Sequence, residues 1–246
     1  MRILVLAPFV LDQESLDNRA GQAHMLGESL GIDFEFRGVK HGPREYDTHV
    51  DWLVADAAIV HAGCNAQQEG FDAICIDTLS DAGVNAMRSV VDVPVVGAGQ
   101  AAYLLALATA PRFSILTQWR PWFVIYEKGL QDYGLRDKCV SMRSIEVRPD
   151  LQNLLGGKED EVFPMLLKEA HGCVEDGAGA IVLGSTTMHQ AHPFLAANLP
   201  VPVINPGPAS YKLAQTLSQL RLGHSRSTWQ RADSTALDGL SWFFRA

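Results

Sequence analysis

The stretch "AIVLGSTTMHQAHP", residues 180–193, sets three hydroxyls and two imidazoles behind an apolar run. Ser185, Thr186 and Thr187 follow Gly184, and His189 and His192 come within the next turn. Hydroxyls beside the N–H groups of a helix start can hold a carboxylate or an enolate oxygen. Serine and threonine also cap helices, and the two roles are compatible. Histidines three apart on a helix share a face. Imidazole moves protons near neutral pH, with packing as the alternative role for each ring. Together these residue types suit proton transfer next to a stabilised oxyanion.

A second group lies in "AICIDTLSD", residues 73–81, where Asp77 and Thr78 close another apolar run. A carboxylate at a buried strand end needs a partner or a shifted proton affinity. Asp77 is therefore either a candidate base or a holder of Thr78 and nearby N–H groups. Asp81 reads as an acid at a helix N-terminus. Asp77, His189 and His192 could form a two-histidine, one-carboxylate set. No HxH or HExxH spacing supports it, and no metal is expected. In "QWRPW", Arg120 either holds an anion or lies at the surface, with Trp119 and Trp122 as cover. His61 ends the run "AAIVHA" and either packs or faces the site.

The chain is written twice. "AICIDT" (73–78) matches "AIVLGS" (180–185), and "RILVLAP" (2–8) matches "RFSILTQ" (112–118). "VDVPVVGAGQAAYLLALA" and "LPVPVINPGPASYKLAQTL" follow at nearly the same offset, and Tyr103 and Tyr211 each open an apolar helix. Matches in one order at near-constant spacing indicate an internal duplication. The runs "ILVLA", "AAIVHA", "AICI", "VPVV", "FSIL", "AIVL" and "VPVI" read as buried parallel strands. Helices are signalled between them. "RPWFVIYEKGLQDYG" carries Pro121 near its start and Gly134 at its end, and "KEDEVFPMLLKEAHGCVEDG" places Pro164 in a first turn. The expectation is α/β: two similar doubly wound parallel-sheet lobes related by pseudo-twofold symmetry. Ligands bind beyond the carboxyl ends of such strands, so Thr78 and Ser185 would meet at one cleft between the lobes.

Composition bounds the function class. The 246 residues are 47% hydrophobic and 20% charged, with a net charge of −8, as in a globular protein of one large domain or two small ones. An acidic chain without a basic block excludes nucleic acid as partner. Cys64, Cys75, Cys139 and Cys173 lack CxxC spacing and read as reduced thiols of a cytoplasmic protein. "MRILVLAP" reads as a first strand, not a signal peptide. "VVGAGQAAYLLALATA" is broken by Gly97, Gly99 and Gln100 and reads as strand, turn and helix, not a membrane span. The tail carries Trp229, Trp242, Phe243 and Phe244, aromatic surface that docks on its own lobe or on a second subunit. A homo-oligomer is expected.

"GFDAICIDTLSDAGVNAMR", "VDVPVVGAGQAA", "RFSILT", "DGAGAIVLGSTTM" and "LPVPVINPGPAS" resemble the aspartate/glutamate/hydantoin racemase superfamily, over roughly residues 1–225 and closest to its hydantoin racemase branch. The resemblance implies two α/β lobes, no cofactor, and proton transfer at a carbon next to a carboxylate or carbonyl. It divides the chain into 1–106 with a returning 206–246, and 107–205. It also implies one catalytic cysteine per lobe, at the positions of Thr78 and Ser185. Both thiols are replaced, so a two-thiol racemisation cannot run: an aliphatic hydroxyl needs a partner base. Thr117 matches a position that contacts the substrate carboxylate. "LAPFV" replaces the family's "INPNT", Gln100 stands where an acid is common, and Asn205 where an aspartate is common. The expected activity is a cofactor-independent isomerase acting on a small carboxylate or hydantoin-like substrate through an enolate. Asp77, Thr78, Ser185, His189 and His192 would be catalytic. Thr117, Thr186, Thr187, Arg120 and Asn205 would bind substrate. A decarboxylase, a hydrolase or a non-catalytic anion binder are the alternatives.

Overall fold

Parallel strands covered on both faces need near-continuous apolar runs. Ile3, Leu4, Leu6, Ala73, Ile74, Cys75 and Ile76 meet that need and are fully buried. Each large aliphatic side chain buried this way contributes about 1.5–3 kcal/mol. The computed structural model describes residues 1–24, 26, 31–148 and 159–244. They form two units, Met1–Gly97 with Ser210–Ala246, and Ala98–Ala209.

The first unit runs β1 (Arg2–Ala7), α1 (Gln13–His24), β2 (Asp33–Gly38), α2 (His49–Gly63), β3 (Ala73–Ile76), α3 (Val84–Arg88) and β4 (Val95–Gly97). Its sheet has the order β2-β1-β3-β4, all parallel. The edge strand β2 alternates polar and apolar residues, and its Phe34 and Phe36 pack on Tyr211 at ring distances of 5.1 and 6.2 Å. The second unit runs α4 (Ala98–Thr109), β5 (Phe113–Thr117), α5 (Phe123–Asp132), β6 (Cys139–Ser144), α6 (Glu159–Glu175), β7 (Ile181–Leu183), α7 (His192–Asn198) and β8 (Val203–Ile204). Its sheet has the order β6-β5-β7-β8, the topology of the first repeated. α8 (Pro206–Gln219) and α9 (Ser234–Phe243) follow. The expected pair of similar parallel-sheet α/β lobes is met. No helix among the described residues is long and apolar enough to cross a membrane.

Two local expectations are corrected. "AAIVHA" is not a strand but the last turns of α2. The helix is nucleated upstream by a capping box, in which Thr48 and Asp51 exchange side-chain and backbone bonds. Its β-branched Ile59 and Val60 are buried by tertiary packing, which overrides their propensity. Pro164 lies inside α6, beyond its first turn. The proline is exposed, so the carbonyl deprived of an N–H donor can be hydrated.

The segment after α8 is pinned to the first unit. Arg226 donates to the carbonyls of Arg88 and Val91 and pairs with Asp92. The Trp229 indole donates to Asn85, 3.2 Å away, and the Arg88 guanidinium lies over its ring. Phe244 packs on His61, with 4.8 Å between ring centroids. Thus two of the tail aromatics dock on their own unit; the side chains of Trp242 and Phe243 lie outside the described residues. His224 Nε2 accepts from the Val95 N–H at 2.7 Å, so this ring must be neutral. Burial, with Arg88 and Arg226 nearby, pushes its pKa down to about 4 from an ordinary 6.5. The unfolded chain then binds a proton that the folded chain refuses, so His224 makes stability rise with pH between about 4 and 6.5. His224→Gln should flatten that rise in urea midpoints measured at pH 5 and 7. Equal slopes in the two proteins would remove His224 from the pH dependence.

Candidate active site

In the first unit the site begins where β3 ends. The Asp77 N–H donates to the Leu6 carbonyl at 2.8 Å, which fixes the backbone one residue before Thr78. The Asp77 side chain is buried, and α1 covers it. Arg19 Nη1 lies 2.5 Å from Oδ2, and Gln22 Nε2 donates to Oδ1 at 3.3 Å. Arg19 and Gln22 are three apart, so one helix face carries both. Arg19 and Gln22 thus fix the Asp77 side chain at the strand end, one residue before Thr78.

Thr78 is nearly buried, and its Oγ1 accepts from the Ser80 N–H at 3.4 Å. The Ser80 hydroxyl lies 3.3 Å from Thr78 Oγ1 and 3.0 Å from the Tyr46 hydroxyl. Burial raises the Tyr46 phenol well above its ordinary range, so it stays a donor. Asp81 follows with a positive φ of 50°, and a Cβ on Gly97 would run into its carboxylate. That places the Asp81 carboxylate against Gly97, the last residue of β4, and α3, the helix that follows Asp81, has no acid in its first turn.

In the second unit the equivalent bond runs from the Gly184 N–H to the Leu116 carbonyl, at 2.7 Å. The Tyr126 hydroxyl donates to the Gly184 carbonyl at 2.7 Å and lies 2.7 Å from Thr117 Oγ1. A phenol has one proton, so Thr117 must donate to Tyr126. Thr117 is fully buried. Its hydroxyl proton goes to Tyr126, which in turn holds the Gly184 carbonyl. A Cβ at 184 would stand 2.6 Å from Thr117 Cβ, so only glycine fits there.

Ser185 caps a short 3-10 turn, Thr186–Ala191. Its Oγ accepts from the Thr187 N–H at 3.3 Å and lies 2.8 Å from Thr187 Oγ1. Thr186 is buried, and its carbonyl faces His189 Nδ1 at 3.2 Å. His192 opens α7, and its Nε2 faces the Val203 carbonyl at 3.0 Å. A carbonyl only accepts, so both ring nitrogens carry hydrogen. Neutral His189 then keeps its lone pair on Nε2, and neutral His192 on Nδ1. The two imidazoles are held by different elements instead of sharing one helix face, because the 3-10 turn ends between them. Asn205 is buried between β8 and α8. Arg120 is 67% exposed and donates to Glu146 at 2.7 Å, which matches its surface alternative.

The two strand ends carry the same device. A hydroxyl at the first position accepts the N–H two residues on, and a second hydroxyl at that residue bonds it: Thr78 with Ser80, Ser185 with Thr187. Thr187, Thr78 and Ser185 were legible in the sequence. Ser80 was not singled out, although the spacing in "TLS" mirrors that in "STT". Arg19, Gln22, Tyr46 and Tyr126 come from distant segments and left no local signal. Among the described residues no cluster of histidine, cysteine and carboxylate could hold a metal. The cysteines stand elsewhere: burial pushes Cys75 and Cys173 up to about 12 and Cys139 to about 11, and Cys64 is raised as well.

The Asp/Glu/hydantoin racemase model matches residues 20–214. The chain belongs to this family. A hydantoin racemase from Pseudomonas sp. (strain NS671) is 30% identical over 225 residues, covering 89% of this chain and 87% of that protein. Among solved structures, allantoin racemase from Klebsiella pneumoniae is 25% identical with a TM-score of 0.87, covering 95% of this chain and 94% of that one. Arylmalonate decarboxylase shares the fold at 17% identity and a TM-score of 0.61, covering 89% and 92%. The protein is thus an enzyme of the racemase superfamily. Within that family its buried Arg19–Asp77 pair is a feature with a measurable weight. Asp77→Ala should cost about 3–5 kcal/mol by leaving a buried guanidinium unpaired, whereas the Arg19→Met, Asp77→Leu double variant should recover most of it. Urea unfolding at constant m measures both, and a loss under about 1 kcal/mol in the single variant would disprove the pairing.

Proposed function

We propose that this enzyme is a cofactor-independent isomerase that moves a proton at the carbon beside a carbonyl, in a small carboxylate or a hydantoin-like cyclic amide, without thiols. The observation that carries this reading is the repeated hydroxyl dyad at Thr78 and Ser185, beside four cysteines whose raised pKa values keep them protonated. The hydantoin and allantoin racemases to which the chain is similar support the substrate class. Four unpaired cysteines suit a reducing compartment such as the cytoplasm.

The substrate C–H bond breaks, its electron pair moves into the adjacent carbonyl to form an enolate, and the proton passes to a base. Of the bonded hydroxyls Ser185 and Thr187, the one whose proton is not spent on the other donates to the enolate oxygen, and the Thr78–Ser80 pair provides the same donor type on the first unit. His189 is the base of this reading, its ring oriented by the bond from Nδ1–H to the Thr186 carbonyl. For isomerisation the proton must reach the opposite face of the planar enolate, so either the enolate turns over before the imidazolium returns it or a second acid delivers it while the imidazolium loses its proton to solvent. His192 is the second candidate, and Thr186 and Asn205 shape the surroundings.

Incubation in D2O with 5-substituted hydantoins, α-amino acids and malonate-type diacids, followed by NMR and optical rotation, tests this. The expected result is α-deuteration of a hydantoin with loss of rotation, insensitive to iodoacetamide. Ser185→Ala should lower kcat about 10²–10³-fold, and His189→Gln about 10²–10⁴-fold. Thr78→Cys with Ser185→Cys should make the activity sensitive to iodoacetamide. Loss of carbon dioxide from a diacid without hydantoin exchange would replace the isomerase by a decarboxylase. Binding without turnover of any compound would leave an anion binder.

A further inference from the structure

Gln118, the residue just beyond β5, carries a polar group that the proposed chemistry does not use. The residue is 1% exposed, and neither its Oε1 nor its Nε2 has a hydrogen-bond partner among the described residues. Only its backbone is engaged, the carbonyl accepting from the Val147 N–H at 3.0 Å. The β5–β7 register sets Leu116 beside Leu183. Gln118 and Ser185 each stand two residues beyond that last registered pair, at the carboxyl ends of neighbouring strands. In the first unit the last registered pair is Leu6 with Ile76, and the residues two further on are Pro8, which has no side-chain donor, and Thr78. The other polar groups at this end of β5 are committed, Thr117 to Tyr126 and Arg120 to Glu146.

We infer that Gln118 determines specificity at the second unit's strand ends, its carboxamide, on the strand next to the one that ends before Ser185, reading the N–H and C=O edge of a cyclic amide. The inference deepens the function proposed above and rests on it for the substrate class. A carboxamide offers one donor and one acceptor side by side in a plane. A ring amide presents its C=O and N–H on one edge in the same way, so the two groups pair donor to acceptor twice. A carboxylate has acceptors only, and would set one of them against Oε1. Sites whose buried polar groups are left unpaired by the wrong ligand discriminate most strongly. The carboxamide is covered in this structure, so engaging a ring requires rotation about the Gln118 side-chain torsions.

The test compares wild type with Gln118→Leu, an apolar replacement of similar size, on 5-benzylhydantoin and on phenylalanine, which has a carboxylate and no amide edge. Turnover is read by α-proton exchange in D2O and binding by saturation-transfer NMR, with thermal melts to confirm folding. Gln118→Leu should raise KM for the hydantoin about tenfold, the loss of a neutral hydrogen-bond pair, at unchanged kcat. KM for phenylalanine should stay put. An unchanged hydantoin KM, or an equal rise for both compounds, would overturn the role of Gln118 while the isomerase reading stands. If wild type binds the hydantoin without exchange and Gln118→Leu loses that binding, Gln118 keeps its role and the isomerase reading falls. If wild type neither binds nor exchanges the hydantoin, both fall.

Discussion

One backbone bond, made twice, sets the position of everything that could react. In the first unit it joins the N–H of Asp77 to the carbonyl of Leu6, and in the second the N–H of Gly184 to the carbonyl of Leu116. Each is the last rung of a parallel ladder in a fully buried sheet centre. Each leaves the next residue, Thr78 or Ser185, at the point where the strand stops and a turn begins. Both faces of these central strands are buried, so a slip of one residue would draw Asp77 or Gly184 into the packed sheet in place of an apolar side chain. The ends of the apolar runs therefore fix the two hydroxyls.

The two units then secure their strand ends by different means. The first uses charge: Asp77 lies under Arg19 and Gln22 of α1, an arrangement that needs both partners because either ion alone would be buried and uncompensated. The second uses neutral bonds and close packing: Thr117, Tyr126 and the Gly184 carbonyl form a short chain of hydroxyls, and the glycine lets it close. A duplicated scaffold has thus kept its sheet order and its hydroxyl dyads while changing the supports behind them.

What the sequence made legible follows from the range of the interactions. The buried strands "ILVL", "AICI", "FSIL" and "AIVL" declare themselves locally, because both their faces are apolar. The edge strand β2 does not, since half its side chains meet solvent and its phenylalanines find their partner in Tyr211 far along the chain. "AAIVHA" reads as a strand by composition and is a helix because a capping box ten residues earlier starts one. Ser185 and Thr187 were legible as a turn-opening hydroxyl run. The partners that decide what Asp77 and Thr117 can do were not, because Arg19 and Tyr126 meet them only through tertiary packing. Resemblance to a family placed the hydroxyls at thiol positions, but only the geometry separated proton donors already spent from those still available.

The glycine at 184 has a consequence for how such an enzyme can change. Its missing side chain is filled by Thr117 and by the phenol of Tyr126, so no other residue type can enter without dismantling three positions together. The matching residue in the first unit, Asp77, carries a full side chain and answers to a helix that can adjust around it. A change at 184 thus demands compensating changes at Thr117 and Tyr126, whereas a change at 77 demands one at Arg19.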